Sequence, residues 1–139
     1  MIRMPFFAAF ALALPAAASA APVSVDLSGL RPGGTLYVEL QTRAQFMGAD
    51  RTAGQIVQAP AAGSLSLDLG EVPPGDYALT VWHDDNGNGR FDVGEGGVPQ
   101  DGLAMANAEG LRGLPTFDQI RLAIPAEGLR VPLVLTYGR

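Results

Sequence analysis

Residues 64–83 read SLSLDLGEVPPGDYALTVWH, and this stretch decides the fold class. Leu65, Leu67 and Leu69 alternate with Ser64, Ser66 and Asp68. Beyond Pro73-Pro74-Gly75, Tyr77, Leu79 and Val81 alternate with Ala78, Thr80 and Trp82. Successive side chains of an extended chain point to opposite faces, so a period of two sets one row on a core and the other in water. Two prolines and a glycine cannot continue a ladder and mark a reversal. The stretch therefore reads as strand, tight turn, strand.

The same pattern extends outward in both directions. Upstream it recurs at Val23, Val25 and Leu27, then at Leu36, Val38 and Leu40. Downstream it recurs at Ile120, Leu122 and Ile124, then at Val131, Leu133, Leu135 and Tyr137. Gly33-Gly34, Ala62-Gly63 and Glu127-Gly128 punctuate the runs. Pro132 has no N–H to give a ladder, which places the last strand at an edge or at a bulge. Arg43–Val57 is less regular and reads as a loop or a short edge strand. Beyond the leader, no segment of ten residues holds a 3.6-residue apolar period, although Gly102–Gly113 has room for a helical turn between its glycines. The expectation is an all-β chain without helices, a single antiparallel β-sandwich of about seven strands.

The amino end has a different character. Arg3 precedes an apolar run from Met4 to Leu14, Pro15 breaks it, and Ala18-Ser19-Ala20 follows. That order of charged, apolar and small-x-small segments is the pattern of a cleavable secretory signal over residues 1–20, cut after Ala20. The run is too short for a membrane anchor, which needs roughly 20 continuous apolar residues. Cysteine is absent, so there is no thiol for a lipid anchor, a disulfide or a thiolate metal site. Residues 21–139 then form one domain, of a size that closes a single core, in a periplasmic or secreted protein with no membrane span in the mature chain.

The formal net charge is −5 and all nine basic residues are arginine. Nucleic-acid binding draws on a basic stripe, and none is present. The negative charge is concentrated: residues 84–101 hold Asp84, Asp85, Asp92, Glu95 and Asp101 against Arg90 alone.

That region opens with DDNGNGRFDVGE over residues 84–95. With Asp84 as position 1, Asn86 falls at 3, Asn88 at 5, Gly89 at 6 and Glu95 at 12, the spacing of a calcium loop. A hard cation takes six to eight oxygens, and alternate residues of a curled loop can bring theirs to one point. Asp84, Asn86 and Asn88 would supply side chains, Arg90 its backbone carbonyl and Glu95 the closing carboxylate, with Phe91 anchoring the loop to the core. Gly94, Gly96, Gly97 and Pro99 forbid an exiting helix, so this is not an EF-hand. The alternative is a metal-free turn, because Asn86-Gly87 and Asn88-Gly89 are also ordinary turn pairs. With two asparagines among its ligands, such a loop would bind calcium weakly, at about 10⁻⁴–10⁻³ M.

The chain here resembles a family of bacterial exported proteins, domain-of-unknown-function family 2141. The resemblance rests on Pro74-Gly75-Asp76-Tyr77-Ala78, on His83-Asp84-Asp85-Asn86-Gly87-Asn88-Gly89 with Asp92, and on Gly97-Val98-Pro99. Asp101-Gly102, Asn107 and Pro115-Thr116-Phe117 fit its later motif, whereas Ala104 and Ala106 stand where glycine and serine are usual. It implies an immunoglobulin- or transthyretin-like, carboxypeptidase-regulatory-like sandwich, and no reaction. Glu95 stands where members often have no acid, which leaves Asp92 or Asp101 as the alternative closing ligand.

Catalysis has little support in the residues. His83 is the only histidine, too few for a zinc site without cysteine. The serines after the leader, Ser24, Ser28, Ser64 and Ser66, lie on or beside strands rather than on a nucleophile elbow. Asp84, Asp85, Asp92 and Glu95 could be drawn as hydrolytic pairs, but so many acids on one glycine-rich loop suit a cation better. The expectation is a non-catalytic module with an unknown protein or glycan partner. Its alternatives are a carbohydrate-binding module using Trp82 and the acidic loop, with Tyr77 as a further stacking ring, and a hydrolase using His83 with Asp84 or Asp85.

Overall fold

The computed structural model describes residues 19–138, so the expected leader lies outside the described residues except for Ser19 and Ala20. Eight strands follow: β1 (Ala21–Leu30), β2 (Thr35–Gln41), β3 (Ala53–Gln58), β4 (Gly63–Val72), β5 (Gly75–Asp84), β6 (Gly102–Met105), β7 (Leu122–Ile124) and β8 (Leu129–Val134). They form two packed sheets. One has the order β4-β1-β8; the other runs β3-β2-β5-β6, with β7 beside the first residues of β5. The β-sandwich expected from the alternation is present.

The core lies between the sheets and follows the period of two. Val23, Val25 and Leu27 of β1 face Leu36, Val38 and Leu40 of β2 and Leu79 and Val81 of β5, all at most 1% exposed. Each such side chain contributes about 1.5–3 kcal/mol on leaving water. On the outer side of β1, Asp26 accepts from Ser66 on β4 (2.6 Å) and pairs with Arg130 on β8. The Tyr77 hydroxyl donates to the Pro73 carbonyl at 2.6 Å and pins the β4–β5 turn from beneath.

Several expectations are corrected. The sandwich is not wholly antiparallel, since β1 and β8 run parallel, Val25 beside Val131. Alternation is identical for both directions, and the β7–β8 connection crosses between sheets, so no hairpin dictates direction. A short helix α1 (Phe117–Ile120) also forms, and Ile120 ends it instead of opening a strand. The cause is a capping box: the Thr116 hydroxyl accepts from Gln119 N, and the Gln119 side chain accepts from Thr116 N. The helix turns Phe117 and Ile120 onto Ala78, a small second core on the outer face of β5. Gly102–Met105 is a strand rather than part of a helical turn. Pro132 does lie in an edge strand, and Arg43–Val57 resolves into turns followed by the edge strand β3.

The last run does not stay in one sheet. β8 ends at Val134; Leu135 N still donates to Ser28 O (2.9 Å), but Thr136 pairs with Leu103 of the opposite sheet. Residues 135–137 thus close the open side of the sandwich beside the end of β5, where the acidic loop begins.

Candidate functional site

The loop is seated by the end of β5. His83 continues the inward row of Tyr77, Leu79 and Val81 and is completely buried. Its Nε2 lies 2.7 Å from the Gly33 carbonyl and its Nδ1 2.6 Å from the Tyr137 hydroxyl. The carbonyl can only accept, so the proton sits on Nε2 and Nδ1 accepts from the phenol. The Tyr137 oxygen accepts in turn from Arg31 N–H at 3.1 Å, and burial pushes the phenol up from its ordinary value. Two glycines admit this arrangement. A Cβ at Gly34, which has φ +65°, would stand 1.9 Å from the Asp84 carbonyl oxygen, and one at Gly102 would stand 2.5 Å from the Tyr137 ring.

Asp84 follows and is 2% exposed. Among the described residues no cationic side chain meets it; its carboxylate instead accepts backbone N–H groups, from Asn88 (3.2 Å) and Gly89 (2.8 Å). Asn86 Oδ1 accepts from Asn88 N at 3.1 Å, and Asn88 Oδ1 from Arg90 N at 2.9 Å. Both amide nitrogens then donate to the same atom, Asp92 Oδ2, each at 2.7 Å. Asp92 N–H donates to Asp101 Oδ2 at 3.1 Å. That oxygen also accepts from the Trp82 indole N–H at 2.8 Å, and Asp101 is 1% exposed. Asp84, Asn86, Asn88, Asp92 and Asp101 therefore form one connected web.

Other candidate residues lie apart from it. Gly94 N bonds Val98 O and Gln100 N bonds Asp92 O, so residues 92–100 make a small hairpin. Glu95 opens a 3₁₀ turn at its tip, exposed, and no hydrogen bond of the web reaches it. Arg90 is exposed and enters the web through its backbone alone. Asp85 turns away to pair with Arg31 at 3.2 Å. Among the described residues, no three His, Cys, Asp or Glu side chains are grouped closely enough to hold an ion. Any cation here would draw on the asparagine oxygens as well as the carboxylates.

Phe91 does not enter the core. It is 44% exposed and meets Trp82 edge-on at 6.3 Å between ring centroids. The other face of Trp82 stacks on Tyr37 at 4.7 Å, its direct cross-strand neighbour on β2. Trp82 and Phe91 border a cleft of about 1020 Å³ that runs from the outer face of β5 and β6 to the edge strand β8, lined also by Phe46, Leu103, Met105 and Leu133. Glu39 and Glu109 are the charged side chains lining it. The roles of Trp82 and Tyr137 were not read from the sequence; a tryptophan next to a buried histidine and before an acidic loop is the local signal for the first. Nothing local marks Tyr137.

Residues 25–131 match the family model described as "Uncharacterized protein conserved in bacteria (DUF2141)". The chain belongs to this family. No curated protein and no solved structure matches it. The matched span holds the whole acidic web and the cleft rings, while Tyr137 lies beyond it. Asn107, at φ +58°, donates to the Arg121 carbonyl (2.8 Å), and Thr116 caps α1. No helix among the described residues is long and apolar enough to cross a membrane.

Proposed function

We propose that this family member is an exported, non-catalytic β-sandwich module, periplasmic or secreted, whose acidic loop binds calcium and serves a structural or recognition role. The observation that carries the reading is the meeting of Asn86 and Asn88 on one oxygen of Asp92, above the buried Asp84 carboxylate. Positions 1, 3, 5 and 9 of the calcium spacing are thereby already gathered. Turning the two amides over would exchange nitrogen donors for oxygen ligands, at the cost of the bonds their oxygens now accept from Asn88 N and Arg90 N. Asp92, rather than the outlying Glu95, then supplies the late carboxylate, with Asp101 behind it. Weak binding, at about 10⁻⁴–10⁻³ M, would leave the loop empty before export and fill it outside.

Thermal unfolding tests this directly. At roughly 5 mM calcium such a site stabilises by about 1–2 kcal/mol, a rise of several degrees in Tm that Asp92→Ala removes. An unchanged Tm in calcium, or a rise that survives Asp92→Ala, overturns the reading.

A second reading, a carbohydrate-binding module, is favoured by the Phe91 and Trp82 rings at the cleft, with Tyr37 stacked on Trp82. Glycan binding that persists in chelator and falls on Phe91→Ala would support it. The third expectation, a hydrolase, has less behind it. Both ring nitrogens of His83 are engaged and the side chain is sealed from solvent, which weighs against a general base.

A further inference from the structure

We propose that the loop carries a self-modification site: Asn86 converts spontaneously to aspartate and isoaspartate, while Asn88, also followed by glycine, is held back by Asp84. Both asparagines precede glycine, the neighbour that least hinders attack of a backbone nitrogen on the side-chain amide, and both are exposed. In the step, the glycine N–H loses its proton to solvent base and its nitrogen attacks the asparagine Cγ. The Cγ–Nδ2 bond breaks and ammonia leaves, which closes a succinimide ring. One water then opens the ring. Cleavage at Cγ gives aspartate; cleavage at the backbone carbonyl gives isoaspartate, with the chain rerouted through the side chain. One water is consumed, one ammonia is released, and no oxidant or reductant is needed.

The two side chains are tethered alike, each amide nitrogen on Asp92 and each amide oxygen on a backbone N–H two residues on. What separates them is the attacking nitrogen. Gly89 N–H is fixed 2.8 Å from a carboxylate oxygen of buried Asp84. A fixed negative charge at that distance opposes loss of the proton, and attack would break a charge-assisted bond. Gly87 N–H has only the Asp84 backbone carbonyl at 3.3 Å, at the limit of a hydrogen bond. The space beside both glycines is open, with no neighbour closer than 4.0 Å to an added Cβ, so the hydrogen bond at the nitrogen and not room is what distinguishes them. Conversion at Asn86 exchanges a donor to Asp92 for a carboxylate, so the modified loop loses that bond and sets two like charges together. The proposal stands without the cation reading.

The test is ageing of the folded protein in mildly alkaline, calcium-free buffer, with peptide mapping by mass and an isoaspartate-specific methyl label. Asn86 should convert about tenfold or more faster than Asn88, the factor that one charge-assisted hydrogen bond amounts to. In urea the ratio of the two rates should fall to that of short peptides with the same two sequences, and Asp84→Asn should release Asn88 in the folded protein. If that variant fails to fold, the urea comparison decides. Equal rates in the folded protein, faster conversion at Asn88, a rate ratio that is unchanged in urea, or an inert Asn86 in a protein whose unfolded chain converts would each overturn the proposal.

Discussion

Removing the Asp101 carboxylate should cost more than an acidic residue in a loop ordinarily does. Asp101→Ala leaves two donors without partners, the Trp82 indole N–H (2.8 Å) and Asp92 N–H (3.1 Å). A donor stranded away from water costs about 1–3 kcal/mol; Asp92 is only half-buried, so the pair together amounts to about 2–4 kcal/mol. Trp82→Phe removes one of these donors along with part of a stacked ring, at about 1–2 kcal/mol. In the double variant the indole is no longer present to be stranded. The two losses should therefore fall short of their sum by about 1 kcal/mol or more. Urea unfolding followed by circular dichroism measures all four proteins, because Trp82 is the one tryptophan and its fluorescence is lost in two of them. Chelator in every sample separates the result from any bound cation. Strict additivity would mean that Asp101 stabilises the loop by some route other than the indole, and the clamp between loop and sheet described above would be wrong.

Two adjacent glycines should respond very differently to alanine. Gly33→Ala meets nothing within 4 Å and should cost only about 1 kcal/mol for its positive φ, whereas Gly34→Ala drives a methyl into the Asp84 carbonyl and should abolish soluble folded protein; comparable yields and melting curves would contradict this. Stability should also fall in alkali. Burial raises the Tyr77 and Tyr137 phenols above the ordinary 10.0, so the folded state keeps protons that the unfolded chain has already lost. The stabilisation from this difference is complete below pH 10.0 and disappears as pH rises through the folded values. Tyr77→Phe should flatten the alkaline limb of a stability–pH curve, and an unchanged limb would count against burial as the cause.

The sandwich was legible because alternation reports burial directly. Every inward residue of β1, β2 and β5 named from the sequence is buried. Strand direction was not legible, since parallel and antiparallel strands alternate alike, and β8 fell on the less common side. The helix at Phe117–Ile120 was missed because four residues are too few to display a 3.6-residue period; its signal was the Thr116–Gln119 capping box instead. In the loop, spacing pointed to Asp84, Asn86 and Asn88, which share one hydrogen-bonded web, but could not follow the Val93–Pro99 bridge, which carries Glu95 to an exposed tip. Asp101 and Tyr137 join the site through tertiary contacts, so no local spacing reveals what they touch.

The placement of β1 has a kinetic consequence. The first strand of the chain is the middle strand of its sheet, with β4 on one side and β8 on the other. Its ion pair from Asp26 to Arg130 spans 104 residues, and the bond between Arg31 and Tyr137 spans 106. Loops of that length close slowly, and nothing compensates the lost chain entropy until they have closed. Synthesis therefore delivers the centre of the sheet first and one of its two neighbours last. Until β8 is within reach, β1 stands with one edge unpaired, open to a strand from any other chain. The interval between making the first strand and supplying its last partner is when this protein is most exposed to aggregation.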